Sequence, residues 1–143
     1  MNTKLSDEEF TEVYNKVPRL CVDLVIKNEE GILLALRANE PYKDMWNLPG
    51  GTVYKGEIID EACVRIAKKE IGLDIQLGKC LGYTEYLKEP RFGIEVHTVS
   101  IVLEAIAVGG ELHHDENTKE LRFFKELPLT LVSAQAEFLK KLN

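Results

Sequence analysis

The chain predicts an α/β architecture, a mixed β-sheet flanked by helices, and three observations lead to it. Helix-periodic and strand-alternating segments follow one another irregularly, without the repeated strand-helix-strand rhythm of a doubly wound sheet. The 143 residues, 45% hydrophobic and 29% charged, suffice for one compact unit with a buried core. No tract is biased enough in composition to mark a linker or a disordered segment, so a single domain over residues 1–143 is expected.

Each element has its own signal. Ser6 and Glu9 stand at capping-box spacing, and Phe10, Val13, Tyr14 and Val17 follow at helical intervals until Pro18 ends the run. LCVDLVIKNEEGILLALR reads as two β-rich runs around NEEG, where Gly31 suits a turn position of positive φ, so a hairpin is expected. Asp23 interrupts the first run and faces either solvent or a cleft. RANEPYKDMWNLPGG, punctuated by Pro41, Pro49 and two glycines, is a loop leading to a short strand. A helix then lies within GGTVYKGEIIDEACVRIAKKEIGL. DIQLGKCLGYTEYL and IEVHTVSIVLEAIA are strand-like, the second through Val96, Val99, Ile101 and Leu103. A further strand, ELRFFKEL, ends before Pro128, and Leu131, Ala134, Phe138 and Leu142 mark the buried stripe of a closing helix.

Composition excludes several classes of function. A net charge of −6 argues against a nucleic-acid partner, which calls for clustered lysines and arginines. Cys21, Cys63 and Cys80 are odd in number and contain no Cys-x-x-Cys, so they read as buried thiols in a reducing compartment. No apolar run approaches the ~18 residues of a membrane span, and MNTKLSDEEF lacks the apolar core of a signal peptide. A cytoplasmic protein without a membrane partner is the expectation.

The chemistry concentrates in the central helix. Ile59, Ala62, Cys63, Ile66 and Ala67 recur at three- and four-residue intervals, and Glu70 extends the line from Ile59 through Cys63 and Ile66. A carboxylate at the end of a mainly buried stripe needs a cation, because leaving it unpaired costs several kcal/mol or keeps it protonated. Arg65 and a metal ion are the candidates. Gly50 and Gly51 let backbone approach a ligand closely, and their carbonyls could join a carboxylate around a hard cation. Gly72 fits a left-handed helix cap.

The spacing Gly51, five residues, Glu57, seven residues, Arg65, then Glu70, Gly72 and Leu73 resembles the signature of the Nudix hydrolase family, and Trp46, Pro49, Gly50 and Gly51 before it look alike as well. The resemblance implies the Nudix fold, an α/β/α sandwich on a mixed β-sheet, whose loop-helix-loop holds divalent cations against a diphosphate. It also implies that Glu57 supports Arg65, which braces the site. Two positions depart from the signature. Ile66 stands where the family has a glutamate after the arginine, and Lys69 where it has the first of two paired glutamates. One carboxylate, a backbone carbonyl and substrate phosphates hold about one ion, so a single-metal site is expected. Lys69 either replaces part of the missing charge or points to solvent.

A similar double loss marks one branch of the family, the GDP-mannose mannosyl hydrolases. The stretch from Pro18 to Asp23 and the trio Arg37, Asn39 and Pro41 look like that branch too. There, water attacks the sugar carbon and releases free sugar and a nucleoside diphosphate. The resemblance implies that Arg37 contacts the diphosphate, that Asp23 touches the nucleotide sugar, and that Asn39 and His97 fall among the substrate-binding positions. The branch takes a further metal ligand and a general base from a late loop, here Asp115, Glu116, Asn117 and Thr118. Asn117 offers a carbonyl oxygen, whereas Thr118 is no base near neutral pH. Glu116, Glu120, His97, His113 and His114 are the other candidates for the base.

The expected protein is thus a hydrolase of a nucleoside diphosphate joined to another group, a nucleotide sugar foremost, using Mg2+ or Mn2+. Arg65, Glu70, Glu57 and Glu120 form the expected catalytic set, with the metal held by Gly50, Gly51, Glu70 and Asn117. Two rivals keep the fold: an ADP-ribose or dinucleotide pyrophosphatase with attack at phosphorus, and a silent nucleotide-binding module. A homodimer is the assembly common in the resembling branch.

Overall fold

A computed structural model describes residues 4–142. Helix α1, Asp7–Tyr14, opens with the reciprocal cap expected of Ser6 and Glu9: the serine hydroxyl accepts from the Glu9 amide, and the Glu9 carboxylate accepts from the Ser6 amide. Strands β1, Arg19–Asn28, and β2, Gly31–Arg37, form the hairpin, with Gly31 at φ 120°. The expected loop contains one short strand, β3, Trp46–Asn47, and leads to the expected short strand, β4, Gly50–Thr52. Helix α2, Ile59–Ile66, continues directly into a π-helical turn, Ala67–Ile71, which Gly72 closes in the left-handed conformation, φ 77°. Then come β5, Leu73–Arg91, β6, Ile94–Gly110, β7, Thr118–Phe124, and helix α3, Ser133–Lys141.

The strands form a mixed sheet. β1 runs parallel to β6 from Arg19 opposite Thr98 to Ile26 opposite Ala105, and β6 pairs antiparallel with β5. On its other side β1 meets β4, with Val22 opposite Gly51 and Asp23 opposite Gly50. Its far end turns into β2, which pairs with β3 and β7. β1 reads as a nearly continuous apolar run because it is central and covered on both faces.

Alternation along β1 supplies two cores. Val22, Leu24 and Ile26 join Leu103 and Ala105 under Cys63 and Ile66 of α2 and Ile71 of the π turn. Val25 and Val102 pack on the opposite face with Leu34, Trp46, Leu48 and Leu139 of α3. Helices therefore flank a mixed sheet, as the α/β/α expectation requires. None of the described helices is long and apolar enough to cross a membrane.

Two readings need correction, and one open alternative is decided. The buried residues of α3 are Gln135 and Leu139, while Leu142 is exposed and Leu131 is buried ahead of the helix. The inward face is rotated from the expected one because Gln135 turns in to hydrogen-bond the Leu48 amide. Cys80 is exposed, unlike Cys21 and Cys63, at an irregular stretch of β5. Asp23 is 8% exposed and takes the cleft alternative.

The approach of β4 to β1 leaves no room for a side chain at Gly50. A Cβ there would lie 2.2 Å from Asp23 Oδ1 and 2.4 Å from the Val22 carbonyl oxygen. Gly50→Ala is therefore expected to lower the unfolding free energy by about 3 kcal/mol, measured by urea denaturation. An unchanged midpoint would contradict this packing.

Candidate functional site

The polypeptide around the central helix is clamped by one ion pair. Arg65 donates from Nε to Glu57 Oε2 at 2.7 Å and from Nη2 to Glu57 Oε1 at 2.9 Å and to the Thr52 carbonyl at 2.8 Å. Glu57 also accepts from the Tyr54 amide at 2.7 Å, and the guanidinium lies 3.8 Å from the Tyr54 ring centroid. The Arg65 hydrogen bonds hold the Glu57 carboxyl below its usual range. Loop 52–57 is thus tied to the helix by a forked charge-assisted contact, with Glu57 supporting Arg65.

Glu70 is placed by the π turn beyond α2. It is half-buried and, among the described residues, has neither a hydrogen bond nor an ion pair. Its Oε1 lies 3.7 Å from where a Cβ on Gly51 would stand. Burial pushes its carboxyl up to about 7, the nearby Asp115 charge adds to the rise, and Lys69, Arg65 and Arg37 oppose it. Lys69 is exposed and its charge reaches Glu70. A carboxylate so placed suits a hard cation, whose charge would replace the lost hydration. No group of three or more His, Cys, Asp or Glu side chains gathers among the described residues. The donor set therefore fits one ion completed by carbonyl, water or phosphate oxygens.

Beside it lies a polar cleft over the paired β1 and β6 strands, lined in part by Asp23, Arg37, Gly50, Tyr86, Glu89 and Gln135. Asp23 Oδ2 accepts from the Ser100 hydroxyl at 2.8 Å, and burial lifts its carboxyl to about 7 despite that bond. The Arg37 Nε donates to the Pro41 carbonyl, and its guanidinium is within electrostatic reach of both Glu70 and Glu89. Gln135 accepts from the Leu48 amide and donates to the Tyr86 hydroxyl at 3.2 Å, fastening α3 to the cleft wall.

The residues singled out from the sequence separate into three groups. Arg37, Asp23, Gly50 and Gly51 line the cleft, and Glu70 abuts Gly51. Asn39 and Asn117 bind each other, Nδ2 to Oδ1 at 2.9 Å, and the Ala38 amide donates to the Asn117 carbonyl, so the late loop is latched to the loop after β2. His97 and Glu120 do not line the cleft. His97 alternates with Val96 and Thr98 and so falls on the other face of the sheet, 3.8 Å from Glu85. Glu120 Oε2 accepts from both Nε and Nη2 of Arg122. His113 packs on the helix cap, where a Cβ on Gly72 would meet its ring at 2.5 Å.

Arg19, Glu89, Arg91, Tyr86, Gln135 and Asp115 escaped the sequence reading. Asp115 had a signal, since it opens the late loop already under consideration. Glu89 and Arg91 had none, because their facing depends on strand irregularities.

Comparison with known proteins adds a family. Residues 17–142 match the NUDIX domain. The low-salt glycan biosynthesis protein Agl8 of Haloferax volcanii is 34% identical over 126 residues, 86% of this chain and 81% of that protein. The ADP-ribose pyrophosphatase of Methanocaldococcus jannaschii is 40% identical over 108 residues, 75% of this chain and 62% of the relative. The crystal structure of a MutT NUDIX hydrolase from Burkholderia pseudomallei superposes with a TM-score of 0.79 at 26% identity, over 90% of this chain and all of that one.

The folded chain keeps the Glu70 proton up to about pH 7, whereas the unfolded chain releases it near 4.5. Without metal, this group makes stability fall as pH rises through that window, after which its effect is constant. In EDTA at about pH 8, Glu70→Gln is expected to be about 2 to 3 kcal/mol more stable than the parent chain, with the difference vanishing below about pH 4. Urea unfolding across that range measures it, and a difference independent of pH would contradict the burial of this carboxylate.

Proposed function

The chain belongs to the NUDIX family of hydrolases, and on that premise we propose that it cleaves a nucleoside diphosphate joined to a sugar, with one bound Mg2+ or Mn2+. The observation that carries this reading is the Glu70 carboxylate: desolvated, without a protein partner, and set against the Gly51 backbone within reach of Arg37. Glu70 would hold the cation with a carbonyl of Gly50 or Gly51, and Asp115 is the second carboxylate whose charge reaches the same place. The ion would stabilise negative charge on the departing diphosphate. The family relationship supports a divalent cation generally, and the choice of magnesium or manganese belongs to this proposal.

Arg37 would counter the phosphate charge from the cleft wall. Arg65, its donors engaged by Glu57 and Thr52, would act on the site by fixing the helix that carries Glu70. Asp23 would accept from a sugar hydroxyl through Oδ1, since Oδ2 already binds Ser100. Asp115 would take the proton of the attacking water, the part that Thr118 lacks the basicity to play. Asn117, its side-chain oxygen engaged by Asn39, would order the late loop. Glu120, held by Arg122, and His97, on the far face, receive no part in this scheme.

A glycan-biosynthesis relative covering most of the chain supports a nucleotide sugar as the substrate class. The more identical ADP-ribose pyrophosphatase favours a second reading, hydrolysis by attack at phosphorus. With a net charge of −6, the protein can take a small anionic substrate when a metal ion screens its phosphates.

Incubation with magnesium and a panel of nucleotide sugars and ADP-ribose, with products resolved by phosphorus NMR, separates these readings. Free sugar and a nucleoside diphosphate are expected. Sugar phosphate and a nucleoside monophosphate would establish the second reading instead. Glu70→Gln is expected to reduce metal-dependent turnover about 100-fold or more with the fold retained by circular dichroism; a variant of undiminished rate would overturn the metal assignment.

A further inference from the structure

Strand β5 contains an irregularity with a chemical effect. From Tyr86, opposite Thr98, to Glu89, opposite Val96, β5 advances three residues while β6 advances two. The extra residue is a bulge, and a bulge exchanges the faces of the residues beyond it. In unbroken alternation Lys88 would follow Thr84 and Tyr86 onto the cleft side. Instead Lys88 is exposed, and Glu89, at 5% exposure, lines the cleft.

The inward carboxylate is fixed through one of its oxygens. Glu89 Oε1 accepts from Arg91 Nε at 3.0 Å, Thr98 Oγ1 at 3.2 Å and Arg19 Nη1 at 3.4 Å. Arg19 is itself held, its Nε donating to Thr52 Oγ1 at 2.9 Å and its guanidinium 5.4 Å from the Phe10 ring centroid. Oε2 has no protein partner among the described residues, and it is not among their fully enclosed polar atoms. The result is a rigid acceptor, more than nine-tenths buried with its residue, open on the cleft side. The two guanidiniums beside it share this one carboxylate, which offsets one of their two charges.

We propose that Glu89 is a specificity-determining residue that accepts hydrogen bonds from a neutral, donor-rich group of the substrate. The proposal rests on the nucleotide-sugar reading above and adds what the cleft selects. Glu70, whose charged surroundings are Asp115, Lys69, Arg65 and Arg37, marks the phosphate end. Glu89 lines the cleft together with Asp23, whose Oδ1 is a second acceptor. The chemistry recognised is a pair of adjacent donors, either the vicinal hydroxyls of a sugar or the N–H edge of a base such as guanine.

The test compares the parent chain, Glu89→Gln and Glu89→Asp on two substrate series with magnesium: one base with several sugars, and one sugar with several bases. Glu89→Gln is expected to lower kcat/KM for the preferred substrate about 10- to 100-fold and to flatten discrimination in one series. The series that flattens identifies the group read. Glu89→Asp keeps a negative charge beside Arg19 and Arg91 and withdraws the acceptor; it should flatten the same series, and thermal melting identifies which variants are folded. Equal loss on every substrate, or no loss, in a folded variant overturns the proposal. If the parent chain hydrolyses none of these substrates, the functional reading fails separately. Calorimetric titration of the same panel then decides Glu89, and affinities unchanged by Glu89→Gln would overturn its role.

Discussion

The organisation of this protein depends on how closely β4 lies against β1. Gly50 and Gly51 are consecutive, so their missing side chains point to opposite faces of the strand. The space at Gly50 is taken by the Asp23 carboxylate, and the space at Gly51 by Ile66 and, slightly farther, Glu70. One two-residue ribbon thereby separates two desolvated carboxyl groups, each lifted to about 7 by burial. A side chain on Gly50 would collide with the Asp23 carboxylate, and one on Gly51 would press on Ile66. The fold thus concentrates acidity at a place where backbone, and not side chains, fills the gap between.

Charge balance follows from that arrangement. Arg65 is paired with Glu57 and Arg122 with Glu120, whereas Arg19 and Arg91 share the single carboxylate of Glu89. Arg37, anchored to the Pro41 carbonyl, meets no carboxylate within ion-pair distance among the described residues, yet lies in the field of Glu70 and Glu89. The cleft lining carries three guanidiniums, Arg19, Arg37 and Arg91, against the carboxyls of Asp23 and Glu89, an excess of positive charge that attracts an anionic group. Burying paired charge costs desolvation and contributes little net stability, so the acidic and basic groups here are better understood as positioning devices.

Periodic and capped features were legible in the sequence: the Ser6 and Glu9 cap, the Gly31 hairpin, the Gly72 terminus, and the pairing of Glu57 with Arg65. Each is set by residues close in sequence or by a spacing that a helix fixes. Three features were not. The π turn rotates Glu70 relative to a regular helix, the inward turn of Gln135 redirects the buried face of α3, and a bulge decides between Lys88 and Glu89. The turn of Gln135 depends on Leu48, far along the chain, and the bulge on strand register, and local periodicity carries no record of either. The long-range neighbours also explain Asn39 and Asn117, whose polar side chains satisfy each other across the sheet edge.

The parallel pairing of β1 with β6 has a consequence for how the molecule comes into being. Partners such as Arg19 and Thr98 are separated by most of the chain, and closing so wide a loop is entropically slow compared with forming the neighbouring hairpins. During synthesis the first strand must wait, apolar on both sides, until the sixth has left the ribosome. The recess that would receive a ligand therefore has no early precursor, because its floor is made by this long-distance closure.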